Sequence, residues 1–364
     1  MNLFIGLMSG TSMDGIDAAL VDVSTNHLIA GITRAYSEQA KLALQAVLAE
    51  KNSGFAAISA LNTIIGREFA QAVHQLLQKA DMGAEQITAV GSHGQTICHD
   101  AMAEIPYTVQ LGCAHTIAQL TRLTVIADFR TRDLVVGGQG APFAPVYHQA
   151  LFGALAYPLA VVNIGGIANV SWLAKDCRVG GYDIGPGNCL MDAWVYKHLA
   201  KDYDAHGEWA ASGEVIPSLL TALLHDPYFK LAAPKSIGKE YFSEAWLLRH
   251  LHANFSAQDI QATLLALTAT TIKHAIADSH VQPERIAICG GGAHNTTLLR
   301  ALRQQIPSIM VESTQAFGVD PDYIEAMMFA WLAEKTLQQI PVDLRHITGA
   351  KTPAILGAIY PYPR

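Results

Sequence analysis

The chain has 364 residues, 51% of them hydrophobic and 15% charged, with a formal net charge of −7 at pH 7. That length suits two domains, each with a sizeable core, and the composition excludes a disordered polymer. No run or stripe of Lys and Arg breaks the acidic balance, which argues against general binding to nucleic acid or to an anionic membrane. The N-terminal apolar run has no Lys or Arg before it and breaks at Ser9-Gly10, so it reads as neither signal peptide nor anchor. No apolar stretch approaches the ~18 residues of a membrane span. Cys98, Cys113, Cys177, Cys189 and Cys289 lack any C-x-x-C spacing and read as free, buried thiols of a protein in a reducing cytoplasm.

In chain order, the run Leu3–Met8 and the run Ile16–Val23 carry β patterns and flank the turn Ser9-Gly10-Thr11-Ser12-Met13-Asp14-Gly15. Helical spacing follows at Lys41–Leu48 and across Ala56–Lys79, where Ile58, Leu61, Ile65, Phe69, Ala72, Val73 and Leu76 recur every three or four residues. Ile87–Ser92 reads as a buried strand ending at Gly91-Ser92-His93-Gly94-Gln95-Thr96. Ala114–Leu120 reads as a short helix, and Thr124–Ala127 as a strand running into Asp128-Phe129-Arg130. A loop rich in glycine and proline, Gly137–Pro145, puts the domain boundary nearby. We expect an N-terminal domain over residues 1–130 and a C-terminal domain over 131–364, with the last helix or tail free to pack back on the first.

The second half repeats the opening plan, with Leu159–Ile164, the glycine turn Gly165–Asn169 and Val170–Leu173. A further turn, Gly180–Asn188, precedes a helix from about Leu190 to Leu199, and the polar stretch Asp202–Glu214 reads as an exposed insertion. Gln261–Ala277 is strongly helical and feeds the strand Arg285–Cys289, which ends on Gly290-Gly291-Gly292-Ala293-His294-Asn295 before a helix near Thr297. Asp320-Pro321 offers an N-cap and an N1 proline for a helix running past Trp331.

Several motifs fail. A Walker A loop fails at Gly238-Lys239, where Ala233 and Glu240 hold the places of a glycine and a hydroxyl. G-x-G-x-x-G fails at Gly290/Gly292, where Asn295 holds the third position, and at Gly185/Gly187, where Leu190 does. G-x-S-x-G and H-E-x-x-H are absent, and the histidines show no metal-ligand spacing.

The two hairpin turns survive. Glycines let backbone amides approach an anion, and hydroxyls beside them add donors. Two such turns facing each other across a cleft would clamp a polyphosphate, the pattern of a nucleotide-using protein with two related halves. Gly10, Thr11, Ser12 and Gly15 can direct amides and hydroxyls at β- and γ-phosphates. Asp14 and Asp17 are acceptors suited to holding Mg²⁺ through its waters.

Met8–Asp17, Ser92-His93-Gly94-Gln95-Thr96, Asp128-Phe129-Arg130 with Gly137–Pro142, Asp183 with Gly185-Pro186-Gly187-Asn188, and Pro321-Asp322 with Glu325-Ala326 occur in one order. Together, from residue 3 to about residue 335, they resemble the anhydro-N-acetylmuramic acid kinase family of bacterial cell-wall recycling. The resemblance implies an α/β fold of the actin/hexokinase/Hsp70 (ASKHA) type, two RNase-H-like domains with an ATP cleft between them. It implies that Gly10, Thr11, Ser12, Met13, Asp14, Gly15, Ile16 and Asp17 form the first phosphate motif, and Asn163–Asn169, with Gly165 and Gly166, the second. Ile288–Asn295, with Gly290, Gly291, Gly292 and Asn295, is similar to the adenosine motif.

In such a family the aspartate at the position of Asp183 activates water, which attacks the anomeric carbon of 1,6-anhydro-N-acetylmuramic acid. The released O6 takes the γ-phosphoryl group of ATP. Asp183 is therefore the candidate base, an Asx turn or helix N-cap being the alternative. The lactyl carboxylate calls for an Arg fork, for which Arg130 is the candidate, against a surface ion pair with Asp128 or Asp133. Gln95, Thr96 and Gln139 are candidates for the sugar hydroxyls or the N-acetyl group. Glu325, expected in the second turn of its helix, either contacts sugar or faces solvent. Ile184 departs from a common threonine of the family, and Lys235-Ser236-Ile237-Gly238-Lys239-Glu240 from the commoner Lys-Ser-Thr-Gly-Arg-Glu. The family suggests a homodimer. Other readings of the residues are a related kinase acting on another sugar or a carboxylate, a non-catalytic ATP-driven switch, and a glycoside hydrolase, which leaves the two turns unexplained.

Overall fold

The computed structural model describes residues 2–10, 15–49, 54–155, 158–175, 179–233, 235–238, 240–252 and 254–363. In chain order its elements are β1 (Leu3–Ser9), β2 (Ile16–Asp22), β3 (His27–Arg34), α1 (Glu38–Ala49), α2 (Phe55–Ala80), β4 (Ala89–Asp100), β5 (Tyr107–Leu111), α3 (Ala114–Thr121), β6 (Val125–Ala127), α4 (Phe129–Val135) and α5 (Ala144–Phe152). There follow β7 (Leu159–Ile164), β8 (Ile167–Leu173), β9 (Val179–Pro186), α6 (Cys189–Leu199), α7 (Glu208–Ala211), α8 (Pro217–Leu224), α9 (Glu244–Leu248), α10 (Ala257–Ala277), β10 (Arg285–Cys289), α11 (Thr296–Gln305), β11 (Met310–Ser313), α12 (Ile324–Leu337) and β12 (Ala358–Tyr360). They fall into two units, one comprising the chain up to Tyr147 with the return from Tyr323 onward, the other His148–Asp322.

Both units use one sheet plan. In the first, the strand order is β12-β6-β4-β1-β2-β3, with β5 pairing β4; β1–β2 and β2–β3 are antiparallel, whereas β1–β4 and β4–β6 are parallel. In the second, the order is β11-β10-β7-β8-β9; β7–β8 and β8–β9 are antiparallel, β7–β10 and β10–β11 parallel. Three antiparallel strands followed by two parallel ones, twice, is the duplicated RNase-H-like α/β plan that the sequence resemblance implies.

In the first unit β1 is buried along its whole length, as a central strand covered on both faces must be. The apolar stripe of α2 buries Leu61, Ile65, Phe69, Val73 and Leu76, the spacing of an amphipathic helix. It ends where Asp81 turns left-handed, the Asp81 and Met82 N–H groups returning to Gln78 O and Leu77 O. On β1 and β4 sits α12, and two glycines let it come close. A Cβ at Gly6 would lie 1.7 Å from Ala326 O, and one at Gly91 2.0 Å from Phe329 O. The helix is apolar nearly all round, burying Ile324, Met327, Met328, Phe329, Leu332 and Ala333; fully burying Phe329 alone contributes about 1.5–3 kcal/mol. The second unit builds its core from Val162, Ile164 and Val170 of the sheet with Leu264, Leu267 and Ile272 of α10. That helix is capped by Ser256, which accepts from Asp259 N–H at 3.1 Å.

Five expectations change. β4 does not stop near Ser92: β5, unforeseen, pairs with it antiparallel from Gln95↔Leu111 to Asp100↔Tyr107 and carries it to Asp100. Residues 179–186 are a strand, not a turn, because β8 supplies pairing from Leu173↔Val179 to Ile167↔Pro186; β8 itself begins at Ile167. The stretch 202–214 is partly built in: Asp204 carboxylate oxygens accept from Trp209 and Ala210 N–H at 2.9 Å, and Ala210 is buried. Asp320 does not cap α12, which starts at Ile324 after Tyr323; its carboxylate accepts from Asp322 N–H at 3.0 Å instead. Glu325 thereby falls in the first helical turn. Finally, Cys98, Cys113, Cys189 and Cys289 are free thiols as expected, but Cys289 is the one buried among them; Cys177 lies outside the described residues. Among the described residues no helix is long and apolar enough to cross a membrane.

The seat of α12 gives a direct test. Gly91→Ala should destabilise the first unit by about 1–3 kcal/mol, the usual cost of overpacking against an unyielding backbone. Urea unfolding followed by tryptophan fluorescence measures it; a change under about 0.5 kcal/mol would mean that the helix does not sit this close.

Candidate active site

In the first unit Gly10 and Gln95 lie where β4 passes the carboxyl end of β1, and Arg130 follows the end of β6, the edge at which ligands bind in open α/β sheets. Thr11, Ser12, Met13 and Asp14 lie outside the described residues; Gly10, Gly15, Ile16 and Asp17 flank them. The base of this hairpin is tied by a buried polar cluster. Ser9 Oγ lies 2.8 Å from both Gly15 O and Gln95 Oε1, and Tyr36 OH is 2.9 Å from Ser9 Oγ and 3.1 Å from Gln95 Oε1. Gln95 Nε2 donates to Gly10 O at 3.1 Å and Thr96 O at 3.3 Å. Gln95 is fully buried, so its amide serves the turn from beneath. Burial pushes the Tyr36 hydroxyl well above its ordinary pKa and keeps it a donor. Sequence reasoning missed Tyr36, a lone tyrosine that carries no signal until the fold brings it to Ser9.

Asp17 is half-buried at the start of β2, and its Oδ1 accepts from Thr33 Oγ1 at 2.7 Å. Thr96 is half-buried, with Oγ1 accepting from Gln110 Nε2 at 3.3 Å. Gln139 is half-buried, its N–H given to Thr348 O at 3.1 Å. Glu325 is half-buried at the amino end of α12, where the helix dipole favours a carboxylate. Arg130, in the first turn of α4, donates from Nε to His93 Nε2 at 2.9 Å and from Nη1 to Gly140 O at 2.8 Å. Asp133 is turned inward, accepting from Gly140 N–H at 2.7 Å and Thr348 Oγ1 at 2.9 Å, and burial raises its pKa.

In the second unit one register row crosses four strands: Asp183 on β9 pairs with Asn169 on β8, Asn169 with Asn163 on β7, and Asn163 with Cys289 on β10. Three strand spacings set Asp183 about 14 Å from the end of β10. The register shifts between Ala168↔Gly185 and Asn169↔Asp183, which leaves Ile184 as the extra residue of a β-bulge beside Asp183. The 235–238 segment then clamps that aspartate. Asp183 N–H donates to Lys235 O at 3.0 Å, Asp183 O accepts from Tyr228 OH at 2.6 Å, and Asp183 Oδ2 accepts from Ile237 N–H at 3.0 Å. Asp183 is thus neither the helix N-cap nor in a loop; Asn188 precedes α6. Burial, then the neighbouring Asp183 charge, pushes the Tyr228 phenol well up, so it stays a donor. Lys235 Nζ lies over the Tyr228 and Tyr182 rings at 4.7 and 5.6 Å, and burial lowers its pKa. The sequence flagged this segment only through its likeness to a family stretch; Tyr228 gave no signal.

The glycines of this unit divide into two kinds. A Cβ at Gly290 would meet Asn163 Oδ1 at 2.3 Å, and one at Gly292 the Ile164 side chain at 2.4 Å, so both let the β10 turn pack onto β7. At Gly165, Gly166 and Gly291 a Cβ would meet its nearest neighbour at 3.7–3.8 Å, ordinary contact, so packing within the described residues does not demand glycine there. Gly165 O and Gly166 O accept from Asn188 N–H and Gly187 N–H at 2.8 and 2.9 Å, which ties this hairpin tip to the β9–α6 turn. Asn163 is buried, and Asn295 Oδ1 caps α11 through Leu298 N–H at 2.9 Å. Among the described residues no cluster of three or more His, Cys, Asp or Glu could hold a metal ion. A single carboxylate at Asp17 still fits Mg²⁺ carried on phosphates, which needs only one or two protein ligands.

A family model described as anhydro-N-acetylmuramic acid kinase matches residues 2–362. An anhydro-N-acetylmuramic acid kinase of Legionella pneumophila subsp. pneumophila (strain Philadelphia 1) is 58% identical over 361 residues, 99% of each chain. One from Xanthomonas campestris pv. campestris (strain 8004) is 46% identical over 366 residues, 99% of this chain and 97% of the other. Among solved structures, the Acidaminococcus fermentans (R)-2-hydroxyglutaryl-CoA dehydratase component A matches with a TM-score of 0.50 at 13% identity, over 91% of this chain and 97% of that one, a likeness of fold.

The cluster under the first hairpin can be probed with one atom. Tyr36→Phe should cost about 1–2 kcal/mol of stability in urea unfolding, since it strips a donor from two buried acceptors. A cost below about 0.3 kcal/mol would show that the hydroxyl does not hold the hairpin base.

Proposed function

The chain belongs to the anhydro-N-acetylmuramic acid kinase family, and from that premise we propose that it joins water, ATP and 1,6-anhydro-N-acetylmuramic acid to give N-acetylmuramic acid 6-phosphate and ADP. The observation that carries the catalytic assignment is the three-way clamp on Asp183, whose backbone and carboxylate are all held by the 228–237 region beside a bulge. A carboxylate so fixed is preorganised as a general base.

Asp183 takes a proton from water as the water oxygen bonds to the anomeric carbon. The bond from that carbon to O6 breaks, and O6 bonds to the γ-phosphorus as ADP leaves. Little covalent work falls to the protein in the phosphoryl step, so positioning and charge stabilisation dominate. Arg130 meets the lactyl carboxylate with its fork. Thr96, Gln139 and Glu325 serve the hydroxyls and N-acetyl group, and Gln95 acts by holding the hairpin turn. Gly10–Asp17 and Gly165-Gly166 receive phosphates, while Gly290–Gly292, with Asn163 and Asn295 supporting the turn, receive the nucleoside. Mg²⁺ would be held by Asp17 and Asp14 through its waters and would offset phosphate charge.

Mass spectrometry of the anhydro sugar after incubation with ATP and Mg²⁺ should show a gain of both water and one phosphoryl unit. A product with phosphate and an intact bridge would overturn the coupled reaction. Asp183→Asn should lower kcat by about 10²–10⁴, the usual worth of general-base help, with nucleotide affinity within a few fold. Retention of more than about a tenth of kcat would reject Asp183 as the base.

A further inference from the structure

Between the Leu7↔Ser92 and Ser9↔Gln95 pairs, β4 places two residues opposite one of β1, a bulge at His93-Gly94. Gly94 takes φ +82°, and a Cβ there would strike Leu111 O at 2.6 Å, so the bulge needs glycine. The bulged His93 is 4% exposed, and its ring is tilted against Phe329 with centroids 4.8 Å apart. Its Nε2 receives the Arg130 Nε–H at 2.9 Å. A guanidinium can only donate, so Nε2 presents its lone pair and the ring proton sits on Nδ1. That nitrogen is buried with no partner at full hydrogen-bond geometry, the Ser9 and Gly94 backbone lying close enough only to favour its proton weakly. The one well-formed hydrogen bond of the ring is at Nε2, and Arg130 uses it.

The geometry points to His93 as a positioning residue for the sugar site: aimed by the bulge, its Nε2 fixes the plane of the Arg130 guanidinium so that the fork meets a carboxylate on the substrate. This rests on the reading of Arg130 given above. The second hold on the fork is Gly140 O, itself fixed by Asp133 through Gly140 N–H, and Phe143 lies 5.7 Å from the guanidinium carbon. Burial first, and the Arg130 charge second, keep the His93 imidazole well below its ordinary pKa. It remains an acceptor and brings no positive charge of its own.

The test uses the full chain. His93→Gln can put a carbonyl oxygen where Nε2 lies, whereas His93→Asn, also a carboxamide, stops one bond short; His93→Leu removes the acceptor. His93→Asn and His93→Leu should raise KM for the anhydro-muramic sugar about tenfold or more. The effect should fall on that KM rather than on kcat, and be absent with the same anhydro sugar lacking its lactyl acid. His93→Gln should restore most of the loss. In an Arg130→Ala background, His93→Asn should add nothing further. A loss equal for both sugars, one that persists in His93→Gln, or one that adds to Arg130→Ala overturns the assignment. If His93→Leu does not fold, the Asn and Gln pair decides. Should Arg130→Ala itself weaken both sugars equally, the carboxylate reading fails, and the double-mutant cycle still decides whether His93 acts through Arg130.

Discussion

The parallel pairing of one strand with the hairpin before it, β4 on β1 and β10 on β7, governs where every candidate residue lies. Parallel neighbours bring their carboxyl ends, and the turns that follow, to the same edge of a sheet. In the first unit that edge collects Gly10, Gln95 and Thr96, with Arg130 following β6. In the second it collects Gly165, Gly166 and Gly290–Gly292, and β9, antiparallel to β8, returns Asp183 to the same edge. An antiparallel partner in place of β4 or β10 would send the following turn to the opposite edge. The helices are consequences of the same choice, since a parallel connection must cross a face of the sheet and so buries that face.

Both units break their ladders beside candidate site residues. The bulge in β4 falls at His93-Gly94 and that in β9 at Ile184, next to Arg130's acceptor and to the candidate base respectively. A regular strand alternates its side chains between faces and offers no choice of aim; one extra residue redirects its neighbours at the expense of a ladder bond. Ile184, where a hydroxyl is common in relatives by the sequence resemblance, is 3% exposed in the core of the second unit. At that position the side chain packs inward, so an isoleucine suits the bulge by joining the apolar core.

What the sequence made legible is what depends on local pattern. Both hairpins, the stripe of α2 and the strand Arg285–Cys289 follow from alternation or helical spacing within one segment. β9 was not legible because Gly180 and Gly181 carry no alternating side chains; only β8 makes a strand of them. β5 was missed as a short run whose pairing partner, β4, reads as ending before it. The helix start at Ile324 was misplaced because Asp320-Pro321 has the residues of a cap while Asp320 is engaged locally by Asp322. At the candidate sites, the bonds that the motif residues make could not be read from spacing. Gln95 and Asn295 resemble ligand-facing amides, yet their bonds to Gly10 O and to Leu298 N–H belong to the scaffold. Tyr36, Tyr228 and Lys235 meet their partners only through folding, so no spacing rule could find them.

Asp133 shows how environment assigns a carboxylate its role. Asp133 is 1% exposed, its oxygens turned to Gly140 N–H and Thr348 Oγ1, and burial outweighs those bonds and the Arg130 charge in raising its pKa. Asp133 therefore steadies Gly140 through its N–H, with its own charge felt by Arg130 nearby. Two acceptors of Arg130, the His93 imidazole and the Gly140 carbonyl, are uncharged. Had Asp133 supplied that acceptor instead, the pair would have been neutral, and an incoming anion would have had to displace a carboxylate. These two acceptors orient the fork without themselves cancelling its charge. A buried His below its ordinary pKa is suited to this task, because a protonated imidazole would repel the guanidinium and an ionised carboxylate would quench it.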